Sequence, residues 1–262
     1  MGSADVTGST LPGSATIGYR ARFDECRPDA TIRASALLRW AQDAAWIHSE
    51  RLGFGRAWYA ERDLAWVVRG LDLVLRGPIP MGVTTAVTTQ VLGLRRVMAR
   101  RRTEIVLPDG ALVATVLTDW VMTDVTRGMP TRIPNEFPSL FDVPPDAFDP
   151  IRLGPDSPPQ EVAGRGFTVR PHEIDPFGHA NNAVYLDWLE ETVAAAGGGA
   201  ALDAPTRRYR LEYLAPAAVG AELRTVAWRP DDRTWRYRID GPGAVAIVRG
   251  SLETGGPDPA PG

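Results

Sequence analysis

The chain repeats itself. Residues 21–45, ARFDECRPDATIRASALLRWAQDAA, lie over residues 169–193, VRPHEIDPFGHANNAVYLDWLEETV. Arg22 then meets Arg170, Glu25 meets Glu173, Pro28 meets Pro176, Leu38 meets Leu186, and Trp40 meets Trp188, all at an offset of 148. Further on, LDLVLRGPIPMG (71–82) lies over YRLEYLAPAAVG (209–220) at an offset of 138, and DGALVATV (109–116) over PGAVAIVR (242–249) at 133. The falling offset means that the second copy has shorter loops. Solenoid repeats run to about 20–50 residues, so a period this long implies two fused copies of one small domain.

The spacing of proline places the joint. Residues 137–164 include Pro138, Pro144, Pro145, Pro150, Pro155 and Pro158. Prolines this dense exclude helix interiors and central strands. The stretch is therefore expected to be a linker, or at most an irregular crossing segment, between copies at 15–136 and 165–253. Residues 1–14 and 254–262 are rich in Gly, Ser, Pro, Asp and Ala and are expected to be loose tails.

Each copy predicts the same elements. A short strand (16–24; 165–173) leads into a turn with Pro and Asp, then one long helix, 33–52 in the first copy and 182–196 in the second. Leu37, Leu38, Ala41, Ala44, Ala45 and Ile47 recur at helical spacing, as do Val184, Tyr185, Trp188, Leu189 and Thr192. Asn181 or Asn182 is the expected N-cap, and Gly197–Gly199 the stop. β-type runs follow at 64–76, 83–93, 95–107 and 111–124, and again at 206–214, 221–229, 233–240 and 244–253. PDG (108–110) and DGPG (240–243) read as hairpin turns. A largely buried helix followed by an antiparallel meander predicts an α+β fold with two antiparallel sheets, each wrapping a long central helix.

Composition narrows the partners. Hydrophobic residues make up 44% and charged residues 23%, the globular range. The net charge is −3 and all 29 cations are arginine, so the basic excess of a general nucleic-acid binder is missing. The lone Cys26 excludes an internal disulfide or a cysteine-based metal cluster. No apolar run reaches the ~18–20 residues of a membrane span, and the N-terminus lacks the pattern of a secretory signal. A cytoplasmic setting is expected.

Chemistry concentrates in HEIDPFGHANNAVYLDWLEE (172–191). Asp175 precedes a proline, which keeps it extended, and Gly178 permits a tight backbone approach. His179, Asn181 and Asn182 then lead into the helix, whose unpaired N–H groups and positive dipole end would face a ligand. Such a place can polarise a carbonyl and hold an oxyanion. A carboxylate beside it can activate water or attack directly.

DPFGHANNAVYLDW (175–188) resembles the signature of hot-dog-fold thioesterases, Asp-x-x-Gly-His-x-Asn-Asn-x-x-Tyr with Trp three residues later. SALLRWAQDAAWIHSERLGFG (35–55), with Gln42 and His48, is similar to the N-terminal helix of acyl-acyl carrier protein thioesterases. LAWVVRGLDLVLRGPIPMG (64–82) and TDWVMTDVTRGMPTRIP (118–134) also resemble family segments. The resemblance implies a tandem hot-dog fold that hydrolyses a fatty-acyl thioester on acyl carrier protein or coenzyme A, without metal or cofactor. It puts the catalytic aspartate on Asp175 and the histidine on His179, with Gly178, Asn181, Asn182 and Phe177 around the substrate and Gln42 contributed by the first copy. It also implies a possible homodimer.

Two family positions differ. The Asn two residues after the Asp is Phe177, and the Glu or Cys near 216 or 217 is Pro216 or Ala217. In the first copy Asp175 becomes Arg27, His179 becomes Thr31, and the Asn pair becomes Arg33 and Ala34, so one site per chain is expected. A polyketide intermediate as substrate, and a non-catalytic acyl-carrier-binding protein, stay open as alternatives. His179 can serve proton transfer or only hold the turn. His48 is expected to be a packed surface or core-edge side chain, and Cys26 a small buried hydrophobe. The tryptophans should be mostly core. RRVMARRR (95–102) could dock an acidic carrier helix or be a solvated edge strand.

Overall fold

The computed structural model of the chain describes residues 13–141, 143, 148–155, 157–159, 162 and 164–255. The first half holds β1 (Ser14–Arg20), a 3-10 turn at Phe23–Glu25, α1 (Ala34–Arg51), α2 (Arg56–Ala60), β2 (Leu64–Leu75), β3 (Thr84–Arg95), β4 (Met98–Val106), β5 (Leu112–Asp124) and the short β6 (Met129–Pro130). The second half holds β7 (Gly164–Thr168), a 3-10 turn at Pro171–Glu173, α3 (Val184–Ala195), α4 (Gly199–Leu202), β8 (Arg207–Tyr213), β9 (Glu222–Trp228), β10 (Thr234–Asp240) and β11 (Ala246–Thr254). No helix among the described residues is long and apolar enough to cross a membrane.

The chain divides into two compact units. One contains residues up to Arg69 with Pro78–Pro150; the other contains Gly70–Gly77 with the chain from Ile151 onward. Strand order in the first unit is β1-β3-β4-β5-β2, and in the second β7-β9-β10-β11-β8, with Gly70–Leu75 of β2 alongside β8. Element by element these are the same topology, with all resolved pairings antiparallel. In the first unit the long helix α1 packs on β1 and β3, and in the second α3 packs on β9 and β10; β3 and β9 are corresponding strands.

Alternation along the strands sets the cores. In β10, Trp235, Tyr237 and Ile239 are buried while Arg236 and Arg238 alternate with them. In α1, Leu37, Leu38, Ala41, Ala44, Ala45 and His48 are buried at helical spacing. Each full burial of a Leu-sized side chain contributes about 1.5–3 kcal/mol. α1 gives way at Gly53 (φ +89) and α3 at Gly197 (φ +90), both in the left-handed region that glycine takes at low cost.

The structure departs from expectation in four places. The strands expected at 16–24 and 165–173 stop at Arg20 and Thr168. Beyond them, the Arg22 N–H donates to Glu25 Oε2 (3.1 Å) and the Arg170 N–H to Glu173 Oε2 (2.7 Å), and each bond turns the chain into a 3-10 turn. The second helix begins at Val184 rather than 182. α2 was unforeseen; it follows Gly53 and Gly55, and with Phe54 it seats Trp58 and Tyr59 in an aromatic cluster. Lastly, 95–102 is no edge: β4 is hydrogen-bonded on both sides, to β3 and to β5.

The proline-rich joint is irregular where it is described, yet it is held. Phe137 stacks on Phe54 with centroids 4.1 Å apart. Arg95 and Arg100 donate to the Phe148 and Asp149 carbonyls (2.7 and 2.8 Å), with Arg100 over the Phe148 ring. In the second unit Arg249 reaches the Leu153 carbonyl (3.3 Å), and the Leu153 N–H donates to the buried Glu212 carboxylate (3.0 Å). Arginines thus satisfy backbone groups that a proline-rich segment cannot pair in a sheet. Part of this stretch, and parts of both expected tails, lie outside the described residues.

Candidate active site

The motif forms a closed turn. Ile174 and Ala180 pair as an antiparallel bridge, and the Asp175 N–H donates to the His179 carbonyl at 2.8 Å. Within it the Gly178 N–H donates to the Asp175 carbonyl at 3.0 Å. Asp, Pro and Gly therefore occupy the first, second and fourth positions of a β-turn, where each is favoured. Gly178 has φ +81.

The Asp175 carboxylate is half-buried and held by one oxygen. Oδ1 accepts the Phe177 N–H at 2.9 Å, and the His179 N–H lies 3.5 Å away, at the limit of a bond. Among the described residues Oδ2 has no hydrogen-bond partner. One oxygen fixes the side chain; the other is open for proton transfer. The His179 ring is exposed, and the turn joins it to Asp175 through backbone rather than through the imidazole. Phe177 is 54% exposed, unusual for a phenylalanine.

Most donors of the turn are occupied. The Ala180 N–H goes to the Ala217 carbonyl and the Asn181 N–H to the Glu173 carbonyl, both at 2.8 Å. Asn181 does not cap the helix from the N-cap position, which is Ala183. Its Oδ1 instead accepts the Ala183 N–H (3.0 Å), and its carbonyl accepts the Val184 N–H (2.9 Å), an Asx turn that runs into the helix. That leaves the Asn182 N–H, at the positive end of α3, without an acceptor among the described residues.

Two tyrosines back this turn, and Tyr237 lies near both of them. The Tyr213 hydroxyl donates to the Asn182 carbonyl (2.9 Å), and the Ala217 N–H donates to the Tyr185 hydroxyl (3.2 Å). Burial pushes the Tyr185 phenol up to about 12, with the Asp175 charge adding to the shift. Burial also raises Tyr213 and Tyr237. Tyr213 and Tyr237 were not among the expected site residues; their place on alternating strand positions reads only as core. His179 bridges Ala218, so the positions where the family resemblance expected Glu or Cys lie against the motif with no side-chain function.

Gln42 lies on α1 in the first unit, half-buried. His48, on the same helix, is buried, and its Nδ1 meets Arg101 Nη1 at 2.9 Å. Cys26 is buried and donates to the Arg22 carbonyl (3.2 Å), and burial raises its thiol pKa. Trp40, Trp188 and Trp235 are core, whereas Trp46 is 36% exposed. Among the described residues no group of three or more His, Cys, Asp and Glu is placed to hold a metal.

Known proteins match across this architecture. Residues 15–141 match the family model described as acyl-ACP thioesterase N-terminal domain, and residues 157–240 the acyl-ACP thioesterase C-terminal domain. Palmitoyl-acyl carrier protein thioesterase, chloroplastic, from Cuphea hookeriana is 26% identical over 190 residues, 66% of this chain and 45% of that protein. The chain thus spans about half the length of the curated relative. An acyl-ACP thioesterase from Bacteroides thetaiotaomicron superposes with a TM-score of 0.76 at 18% identity, over 92% of this chain and 97% of its own. The 12:0-ACP thioesterase from Umbellularia californica superposes at 0.75 with 21% identity, over 92% and 96%. At such identities the structural likeness establishes the fold, the hot-dog fold of these thioesterases.

Proposed function

Because this chain belongs to the acyl-ACP thioesterase family, we propose that it hydrolyses an acyl thioester on acyl carrier protein or coenzyme A and releases a free carboxylic acid. Each copy is a hot-dog domain whose sheet wraps its own long helix, at 15–136 and 165–253, joined by 137–164. The packing of α1 on β3 and of α3 on the corresponding β9 supports that reading.

The observation that carries the function is the half-tethered carboxylate of Asp175. Its free Oδ2 takes a proton from water as the water oxygen attacks the thioester carbon. The Asn182 N–H and the dipole of α3 hold the oxyanion that forms. When the intermediate collapses, the carbon–sulfur bond breaks and the proton on Asp175 passes to the departing thiolate. Phe177 offers an apolar contact, and His179 orients the thioester beside it. Gly178 and Asn181 fix the turn.

Asp175→Asn tests this. The amide keeps the oxygen that binds the Phe177 N–H and loses the base. Thiol release from acyl carrier protein should fall about 10²–10⁴-fold, the usual contribution of a general base, with the melting temperature nearly unchanged. Retained hydrolysis removes Asp175 from the role. A second reading, acyl-carrier binding without turnover, is favoured by the absence of side-chain function at Ala217 beside His179. Tight binding of an acyl carrier by the unaltered chain, with no thiol released, would select it.

A further inference from the structure

The two copies start their long helices differently. α1 begins at Ala34, whereas α3 begins at Val184, two residues beyond Asn182, the counterpart of Ala34. The difference centres on one carbonyl. In a regular helix the Asn182 carbonyl accepts the Leu186 N–H. Here the Leu186 N–H goes to the Ala183 carbonyl (3.1 Å), and the Asn182 carbonyl accepts the Tyr213 hydroxyl instead (2.9 Å). Tyr213 is buried on β8, and burial raises its phenol well above the ordinary value, so it keeps its proton and stays a donor.

The turn can be built without that hydroxyl. At the offset of 138 Tyr213 falls on Leu75, whose side chain makes no hydrogen bond. The first copy still closes the same backbone. The Ile32 N–H donates to the Ile79 carbonyl (3.0 Å) as Ala180 does to Ala217 (2.8 Å), and Ala36 donates to Arg33 (3.1 Å) as Val184 does to Asn181 (2.9 Å). A buried hydroxyl found at this place only in the copy that carries Asp175 points to chemistry rather than to folding.

Its effect falls on Asn182. The peptide between Asn181 and Asn182 is held by its carbonyl, which accepts the Val184 N–H (2.9 Å). The peptide between Asn182 and Ala183 is held on both sides, its N–H by Asn181 Oδ1 (3.0 Å) and its carbonyl by Tyr213 (2.9 Å). With both planes fixed, the Asn182 N–H keeps one direction. A donor aimed in advance needs no reorganisation when charge develops on the substrate.

We propose that Tyr213 is a positioning residue for thioester hydrolysis: by holding the Asn182 carbonyl outside the first turn of α3, it aims the Asn182 N–H at the oxyanion. The inference rests on the thioesterase reading and adds the group that sets its oxyanion donor.

The test sets Tyr213→Phe against Tyr209→Phe. Tyr209 lies two residues earlier on β8, its hydroxyl donates to Glu190 of α3 (2.5 Å), and its first-copy counterpart is Leu71. Each variant loses one hydrogen bond that β8 sends toward α3, so both should melt slightly below the parent. Activity separates them. With dodecanoyl carrier protein, kcat for thiol release should fall about 10–100-fold in Tyr213→Phe, the upper figure being the cost of about a 1 Å misplacement. KM should stay within threefold, and Tyr209→Phe should keep both constants within threefold.

A second measurement needs no turnover. By calorimetry the full chain should bind the dodecylphosphonate monoester of pantetheine, a tetrahedral anion, at least tenfold more tightly than the planar amide in which nitrogen replaces the sulfur of dodecanoyl-pantetheine. Tyr213→Phe should lose most of that preference, and Tyr209→Phe should keep it. The proposal is overturned by a fall in kcat of less than tenfold in Tyr213→Phe, by a loss carried by KM, or by an equal loss in Tyr209→Phe. A phosphonate preference that is missing from the parent, or that survives Tyr213→Phe, also overturns it. Thiol release by the parent decides the thioesterase reading separately: with none released that reading fails, and the phosphonate arm still judges Tyr213.

Discussion

The turn at 26–32 and the turn at 174–180 are one backbone with two chemistries. Cys26 bridges Ile32 as Ile174 bridges Ala180. The Arg27 N–H donates to the Thr31 carbonyl (2.7 Å) as Asp175 does to His179 (2.8 Å). Ala30 to Arg27 (3.0 Å) repeats Gly178 to Asp175 (3.0 Å), and Arg33 to Glu25 (2.9 Å) repeats Asn181 to Glu173 (2.8 Å). The aromatic pair behind the turn is kept as well, Tyr19 with Trp40 and Phe167 with Trp188. What differs is where the carboxylate sits. In the first copy it is Asp29, at the place of Phe177. Its Oδ1 takes both the N–H and the hydroxyl of Thr31 (3.0 and 2.7 Å), and its Oδ2 faces Arg27 (3.9 Å). That carboxylate is spent on structure. In the second copy the acid stands two residues earlier, and the turn uses only one of its oxygens. On the proposed mechanism the difference matters, because holding a carboxylate is then not enough; one oxygen has to be left over.

The largest expected effect comes from giving the second copy the first copy's arrangement. A double variant, Asp175→Asn with Phe177→Asp, keeps a carboxylate in the turn but moves it to the saturated place. Thiol release should stay about 10²–10⁴-fold below the parent, no better than Asp175→Asn alone. Recovery to within tenfold would mean that position in the turn is not what matters.

A smaller effect separates the two 3-10 turns. Glu25 accepts from the Arg22 N–H, the Arg22 guanidinium and Trp40 Nε1, each at 3.1 Å. Glu173 accepts from the Arg170 N–H (2.7 Å). Glu25→Ala leaves the indole N–H of a buried Trp40 without its acceptor, which costs about 1–3 kcal/mol. Glu173→Ala removes a cap interaction worth about 1 kcal/mol. Thermal denaturation should therefore show the larger drop for Glu25→Ala, and equal drops would deny that the first copy carries the greater structural burden.

Much of this was legible before any coordinates. The duplication showed in paired landmarks such as Trp40 and Trp188, because both copies bury the same helix face. Most strand limits followed from alternation, which burial on one side enforces, but the first strand of each copy ends early, at Arg20 and Thr168, where a glutamate draws the chain into a 3-10 turn. What escaped was decided by tertiary contact. α2 is five residues long, too short for a periodic signal. Phe137 and Phe148 lie in a proline-rich run whose composition says only that it is irregular; their burial depends on Phe54 and on Arg100. Arg101 lies amid a run of like charges, and only the strand's register shows that it turns inward beside His48. At the site the motif gave Asp175, but which of its oxygens stays open depends on how the turn closes.

The smallest expected effect concerns the left-handed position shared by both turns. Gly178 has φ +81, and its counterpart is Ala30 with φ 60. A Cβ built on Gly178 meets nothing within 4 Å, so the cost of Gly178→Ala is backbone strain alone. For a non-glycine residue that strain is about 1–2 kcal/mol, or a few degrees in melting temperature at this chain length. Ala30 shows that the fold carries such a residue in the same turn. Gly178→Ala keeps the N–H that closes the turn, so thiol release should fall less than tenfold. A loss as deep as that of Asp175→Asn, in a protein that still melts within a few degrees of the parent, would mean that substrate approaches the bare Cα of Gly178. The two turns would then differ in access as well as in where the acid sits.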